Sequence, residues 1–343
     1  MQAVSSVTSV SIIMKVWNAL PHVRLCLKTL LRNTDSPFEL IVIDNGSRPE
    51  ATEFLCGVAD GDPRVRLILN PTNTGPGQAN RQGVALARHK LICLIDSDVL
   101  VPERWLARLV AEFERRPAVK LLAPLNYHQT LSHPFGPENS AAAWFRARQE
   151  NERSSPLRQF YAYSGGLSIE EFDELMCSAH AGEPAALSCP PDFIGTCCAL
   201  LDADFVAAAG GIADPRFAGY GSEDVDLCWR IGAQGGQLTR TAAVYVHHFH
   251  NSSLIDNAVN AEVALRTANR ILYAKWGPKL IALAQTEMHR GGSLREYLSA
   301  HFIFQPLARH TSFIADLRAA TGRDDIPDQV IWQPDETQRP NRA

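Results

Sequence analysis

The stretch Leu91-Ile92-Cys93-Leu94-Ile95-Asp96-Ser97-Asp98-Val99-Leu100-Val101-Pro102 decides how the chain is read. Five apolar residues in a row end on two carboxylates one residue apart, and a proline closes the run. An apolar run of this length reads as a strand buried on both faces of a parallel sheet. Asp96 and Asp98 then stand at the strand's carboxyl end, the edge where open α/β sheets hold ligands. Two acids that close attract a divalent cation that prefers oxygen ligands, and such a cation can bridge to phosphate oxygens. The plainer reading has both acids capping a turn and the helix that begins near Pro102. The neighbouring stretches favour the first.

Upstream, Val10 to Val16 is β-branched and apolar and reads as a first strand, closed by Trp17-Asn18. Helical spacing follows from about His22 to Arg32. A second buried strand, Glu39 to Ile43, runs into Asp44-Asn45-Gly46-Ser47, which fits a tight turn that presents a carboxylate at the same edge. A helix around 50–59 and a third strand, Val65 to Leu69, come next. The loop Asn70-Pro71-Thr72-Asn73-Thr74-Gly75-Pro76-Gly77 then leads into a helix carrying Asn80 and Gly83. Small residues before a helix N-terminus let backbone N–H groups approach a phosphate or sugar. Strand and helix thus alternate four times in the first hundred residues, as a parallel α/β sheet requires.

Downstream, a helix runs from Trp105 to about Arg116, and a fifth strand spans Lys120 to Pro124. Residues 126–191 break the pattern and read as a helical insertion. Asp192 to Leu201 reads as the resuming strand, and Asp202-Ala203-Asp204 as the cap of a short helix. The glycine-bearing loop Phe217 to Ser222 opens into Glu223-Asp224-Val225-Asp226, whose acids fall in a helix's first turn. They either complement the helix dipole or supply a general base beneath a mobile loop. Val244 to His250 reads as a late strand with three histidines, His247, His248 and His250. Period-2 geometry puts His248 and His250 on one face, where a neutral imidazole can ligate a cation. From about 256 the chain is helical, with Pro278 expected to break the helix and a loose tail expected from Arg323.

The 343 residues carry a net charge of −4, which argues against a nucleic-acid partner. No apolar run approaches the length of a membrane span, and the N-terminus does not read as a signal peptide. Eight scattered cysteines without a C-x-x-C pair suggest reduced thiols and a cytoplasmic setting. Arg266, Arg270, Lys275 and Lys279 offer either a peripheral contact with an anionic membrane or a solvated helix face.

Taken together these segments resemble family 2 glycosyltransferases of the GT-A fold, inverting enzymes of the bacterial surface-polysaccharide type. The motifs come in the family's order: Val10-Ser11-Ile12-Ile13 to Asn18, with Lys15-Val16-Trp17 where Pro-Val-Tyr is usual; Ile41 to Ser47; Asn73-Thr74-Gly75 with Asn80 and Gly83; Asp96-Ser97-Asp98; Gly221 to Leu227; and His248 with Ser253. The resemblance covers roughly residues 8–277 apart from the insertion. It implies a Rossmann-like, mainly parallel sheet flanked by helices, with residues 1–255 as the catalytic domain. Within it, 126–191 would shape the acceptor side, and 256–343 would be a helical extension.

The resemblance further implies a nucleoside-diphosphate sugar donor, UDP or dTDP favoured, and a glycan or lipid-linked acceptor. Asp44 would bind the base, with Asn18, Asn45, Asn73, Gly75, Asn80 and Ser97 around the nucleotide. Asp96 would meet the ribose or the metal. Asp98 would hold Mg²⁺ or Mn²⁺, with His248 completing its shell. Asp224 would be the general base and Glu223 would contact the acceptor or orient the loop. Two other readings remain: a sugar nucleotidyltransferase, disfavoured by the absence of glycine at Met14 to Asn18, and a non-catalytic binder on the same fold, disfavoured by the presence of Asp98 and Asp224. A dinucleotide-binding dehydrogenase lacks its glycine fingerprint here.

Overall fold

The computed structural model describes residues 8–128, 132–182 and 186–333. Its first half follows the expected alternation: β1 (Val10–Val16), α1 (Leu20–Asn33), β2 (Phe38–Asn45), α2 (Pro49–Gly61), β3 (Val65–Asn70), α3 (Pro76–Leu86) and β4 (Leu91–Asp96). A two-residue strand β5 (Val99–Leu100), helix α4 (Trp105–Glu114) and strand β6 (Val119–Leu125) follow. The seven-stranded sheet has the order β3-β2-β1-β4-β7-β6-β8, with β7 (Cys198–Asp202) and β8 (Gln237–Tyr245) from the second half. All pairings are parallel except those of β7, which runs against both β4 and β6.

Both faces of this sheet are covered, which is why its strands carry unbroken apolar runs. In β1, Ile13 joins one core, while Ile12 and Met14 join the other beneath α1 and α4. In β4 the same alternation sends Ile92 and Leu94 one way and Cys93 and Ile95 the other. Parallel register sets Lys15 beside Asp96 and Val16 beside Asp44, so three strand ends meet at one edge.

The stretch 126–191 supplies α5 (Ser140–Glu150), α6 (Pro156–Tyr163) and α7 (Ile169–Ala179). Its aromatics Trp144, Phe160, Tyr163 and Phe172 form one core with Leu100, Tyr245 and Phe249. Asp173 in α7 accepts from Tyr245 N at 2.6 Å and pairs with Arg108 of α4 at 2.7 Å. The insertion is thereby anchored to the end of β8, just before the histidines.

Four expectations change. Asp192 to Cys197 is not strand; pairing begins at Cys198, and the strand is antiparallel, a direction that an apolar run cannot reveal. Between β7 and β8 lie α8 (Ala203–Ala208) and α9 (Glu223–Ala233). The late strand is split: β8 ends at Tyr245, and β9 (His247–His248) turns away to pair with β5. After the short α10 (Ser252–Asp256), helix α11 (Ala261–His289) runs straight through Pro278. Burial of Leu272 before the proline and of Leu280 and Ala284 after it offsets the ~3 kcal/mol that an interior proline costs. Finally α12 (Leu294–Ala300), α13 (Phe304–His310) and α14 (Phe313–Thr321) pack with α11 onto the sheet's core. The tail from Arg323, expected to be loose, packs as far as Gln333, with Ile326 and Val330 buried and Gln333 N donating to Ser299 O at 2.7 Å. The rest of that tail lies outside the described residues.

Candidate active site

The apolar run of β4 delivers Asp96 to the sheet edge, and β5 continues past Asp98 to pair antiparallel with β9, Val99 opposite His248. That pairing brings together residues 150 positions apart. His248 Nε2 lies 3.1 Å from Asp98 Oδ1 and 3.5 Å from Asp96 Oδ2. Phe249 N donates to Asp98 O at 2.9 Å and Ser252 N to Asp98 Oδ2 at 3.3 Å, so the second acid is fixed from both sides. Burial opposes ionisation of Asp98, but the adjoining His248 outweighs it and holds the carboxyl below its usual range. Asp96, Asp98 and His248 present two oxygens and one nitrogen within 4.8 Å of one another. Of the three late histidines, His248 alone faces the acid pair; His247 is enclosed by Trp144, Phe160, Tyr163 and Phe249.

Lys15, one residue before the end of β1, ion-pairs with Asp96 through Oδ1. Burial disfavours its ammonium, yet Asp96, with Glu223 and Asp98 behind it, prevails and holds the charge on. This cation was visible in the sequence as a departure from the family pattern, but its partner follows only from the β1–β4 register. Tyr220, whose hydroxyl donates to Asn251 Oδ1 at 2.7 Å, also lies within electrostatic reach of Asp96, Asp98, Glu223 and Asp224.

Glu223 and Asp224 open α9 and are both half-buried. Burial pushes Glu223 up to about 7, assisted by the charge of Asp224. Burial likewise pushes Asp224 up to about 6, with Asp96 adding to the effect. Asp224 Oδ1 accepts from Val225 N at 2.8 Å, while Glu223 Oε2 is buried without a partner. Asp224 thus stands where it complements the helix dipole, with a raised affinity for its proton. What fixes α9 is Asp226, fully buried, which accepts from Arg230 Nε at 2.8 Å, Trp276 Nε1 at 2.8 Å and Lys275 Nζ at 2.7 Å. Lys275 also pairs with Asp214 at 2.8 Å. It is thus an internal ion-pair partner of α9, not one of the residues free to meet a membrane.

The residues expected on the nucleotide side converge on the same edge, but several are occupied by the protein itself. Asp44 is buried; its Oδ1 accepts from Ser47 N at 3.0 Å and its Oδ2 from Thr52 Oγ1 at 2.5 Å. A carboxylate has about four acceptor directions, so two remain. Asn45 Nδ2 donates to Asn73 Oδ1 at 2.7 Å, and Asn45 Oδ1 accepts from Thr74 N at 3.1 Å and Asn70 Nδ2 at 3.0 Å. Asn73 Oδ1 in turn accepts from Gly75 N at 2.8 Å. These two asparagines hold the glycine loop in shape. Gly75 has φ +84°, and a Cβ there would sit 2.1 Å from Ala218 O, so the loop before α3 lies against the loop before α9. Asn18 is buried; its Nδ2 donates to Asn257 Oδ1 at 2.6 Å and its Oδ1 accepts from Arg48 N at 2.6 Å. It braces the ends of β1 and β2 against the segment after α10. Asn80 in α3 and Ser97 between the two acids are buried beside this edge.

The open, mainly parallel sheet flanked by helices is a fold shared with solved GT-A glycosyltransferases. The fold likeness to the mannosyltransferase PcManGT from Pyrobaculum calidifontis has a TM-score of 0.52 at 15% identity, over 94% of this chain and 78% of that one. Residues 11–167 match the model of glycosyl transferase family 2. An uncharacterized glycosyltransferase of Haemophilus influenzae is 37% identical over 89 residues, 26% of this chain and 36% of the relative. The succinoglycan biosynthesis protein ExoO of Rhizobium meliloti is 29% identical over 108 residues, 32% of this chain and 30% of the relative. The matched part of this chain thus spans well under half the length of either relative. Among the described residues no helix is long and apolar enough to cross a membrane.

Proposed function

We propose that the protein is an inverting glycosyltransferase that moves a sugar from a nucleoside-diphosphate donor to an acceptor hydroxyl on a glycan or lipid-linked glycan of a bacterial surface polysaccharide. The observation that carries the reading is the meeting of Asp96, Asp98 and His248 with Lys15, Glu223 and Asp224 at the edge where family 2 motifs converge. The polysaccharide setting draws on the likeness to the succinoglycan biosynthesis protein.

Two carboxylates and an imidazole whose donor atoms stand within 4.8 Å suit a single Mg²⁺ or Mn²⁺, with the nitrogen favouring Mn²⁺. The mannosyltransferase of like fold binds Mn²⁺ together with GDP-mannose. Bound there, such an ion would neutralise the diphosphate that leaves. The chain's own residues supply the rest. Lys15 places a second positive charge beside Asp96 and toward the leaving group. Asp44 uses its spare acceptor directions for a ring N–H of the base, uracil or thymine in our reading. Asn45, Asn73 and Asn18 fix the loops that carry Gly75 and Ser47, while Asn80 and Ser97 complete the nucleotide wall. Asp224 accepts the acceptor's proton as its hydroxyl attacks the anomeric carbon from the far face. A raised affinity for that proton brings a carboxylate closer to its task at neutral pH. Glu223 orients the acceptor. We place the reaction at the cytoplasmic side of the membrane, with Arg266, Arg270 and Lys279 left for peripheral contact.

The test is a thermal-shift and hydrolysis screen with a panel of nucleotide sugars, with and without Mn²⁺. Stabilisation by one nucleoside diphosphate only when Mn²⁺ is present is the expected result, lost in Asp98→Asn. Asp224→Asn should keep that stabilisation and abolish transfer. A chain that binds no nucleotide under any condition would overturn the reading, and wild-type turnover in Asp224→Asn would remove the base assignment.

A further inference from the structure

Beside the acid pair stands a second group of ligating side chains, of which the steps above employ only His248. His128 follows β6, His248 belongs to β9, and His250 lies two residues on. One ligand nitrogen from each lies within 4.8 Å of the other two. The His128 and His250 rings stand 4.5 Å apart centre to centre, and each is about as far from His248, at 5.5 and 5.6 Å. We propose that His128, His248 and His250 form a second cation site, built of nitrogen donors and suited to Zn²⁺, which shares His248 with the carboxylate site.

Three observations support a built site over a chance stacking of rings. First, the backbone holds His250 in place at a conformational cost. His250 has φ +61° and Asn251 φ +58°, in the left-handed region that costs non-glycine residues ~1–2 kcal/mol each. Arg148 of the insertion secures that turn, its Nη1 donating to Phe249 O at 2.9 Å and His250 O at 2.8 Å. Second, His248 Nδ1 is buried with no hydrogen-bond partner, although Nε2 of the same ring faces Asp98. A buried polar atom left unmatched is costly unless something meets it. Third, the trio is graded in exposure: His248 buried, His250 half-buried, His128 exposed. The trio therefore runs from beside the acid pair out to the surface. His128 N is itself anchored to Asn126 Oδ1 at 2.9 Å, and its ring packs 4.2 Å from that of Tyr127, so both backbone and ring are positioned.

The donor chemistry sets the ion. Zn²⁺ binds imidazole nitrogen at ~2.0–2.1 Å, and three protein ligands with a fourth position toward solvent is a familiar zinc arrangement. Mg²⁺ prefers carboxylate and water oxygens, and Mn²⁺ stands below Zn²⁺ in affinity for nitrogen donors. The two sites are coupled in any case, because two dications sharing one ring repel. Zn²⁺ at the three histidines therefore weakens Mn²⁺ at Asp96 and Asp98, an antagonism built into the insertion and the late strand together.

The experiment measures binding alone and does not depend on the transfer reaction. Metal-free full-length protein is titrated by calorimetry with Zn²⁺, with Mn²⁺, and with Mn²⁺ at saturating Zn²⁺. It is run for wild type, His128→Ala, the double variant His128→Ala/His250→Ala, and Asp96→Asn/Asp98→Asn. His128 is exposed, so its single variant keeps the fold, checked by melting. The expected result is Zn²⁺ affinity reduced by at least about tenfold in His128→Ala and ~100-fold in the double variant. Mn²⁺ affinity should be unchanged in both, and the Zn²⁺ antagonism of Mn²⁺ lost. Asp96→Asn/Asp98→Asn should lose Mn²⁺ and keep Zn²⁺. Unchanged Zn²⁺ affinity in the double variant would overturn the proposal. So would loss of Mn²⁺ in that variant, which would merge the trio into the carboxylate site.

Discussion

Asp226→Asn probes how the active-site helix is held. Asp226 is fully buried, and its two oxygens serve Arg230, Lys275 and Trp276 at 2.7–2.8 Å. Asparagine keeps the shape but removes the charge, and its amide turns a donor toward one of three donors. Breaking a buried ion pair from one side costs ~3–5 kcal/mol. Lys275 retains Asp214 at 2.8 Å, and Arg230 Nη1 retains Ala209 O at 2.7 Å and Gly211 O at 2.6 Å, which puts the loss at the lower end, about 3 kcal/mol. At about 2 °C per kcal/mol for a chain of this size, the melting temperature falls by about 6 °C. Because Glu223 and Asp224 occupy the first turn of the same helix, kcat falls while the donor's dissociation constant holds. The control is Asp204→Asn, also in a helix's first turn but largely exposed, with Lys90 3.7 Å away; its effect stays under about 0.5 kcal/mol. A melting temperature for Asp226→Asn within about 1 °C of wild type would refute the claim that this network holds α9.

The acid pair at α9 makes a pH prediction. Glu223 and Asp224 bind protons more tightly folded, to about 7 and 6, than at their ordinary 4.5 and 3.8, so the folded state takes up protons. Their contribution to stability is full below about pH 4 and is lost as pH rises through 6 and 7; urea melts of Glu223→Gln should show less of that decline. Transfer should rise through about pH 6 as Asp224 ionises, and the pH–rate profile checks it. Gly75→Ala should destabilise by ~1–3 kcal/mol and raise the donor's KM, since its φ of +84° with ψ 158° suits glycine and its Cβ would strike Ala218 O. Lys15→Met should tighten Mn²⁺ and loosen the nucleoside diphosphate by on the order of tenfold each, as Coulomb's law gives ~1–4 kcal/mol for a unit charge near 4 Å; opposite signs in two calorimetric titrations are the diagnostic.

Local pattern carried a good share of this molecule. Uninterrupted apolar runs at Ile41–Ile43 and Leu91–Ile95 mark strands covered on both faces, and a strand's end is where its next polar residue stands, so Asp44, Asp96 and Asp98 were legible at the sheet edge. Spacing of Val225, Cys228 and Trp229 likewise put Glu223 and Asp224 at a helix start. Such signals are short-range consequences of burial and period. The direction of β7 was not of that kind, because an apolar run packs equally well either way up. Pro278 was misread because propensity is local, while burial on both sides of it is not. The pairings Lys15–Asp96, Asp98–His248 and Asp226–Lys275 join residues 49 to 150 positions apart and exist only once register and packing set them. His128 shows the point most plainly: alone it is one surface histidine, and only the turn of β9 toward β5 brings two more beside it. The sequence by itself determined the kind of sheet and which carboxylates line its edge, because alternation and burial act on neighbours. The tertiary structure decided which charges and imidazoles meet there, because through-space distance is a property of the packed chain.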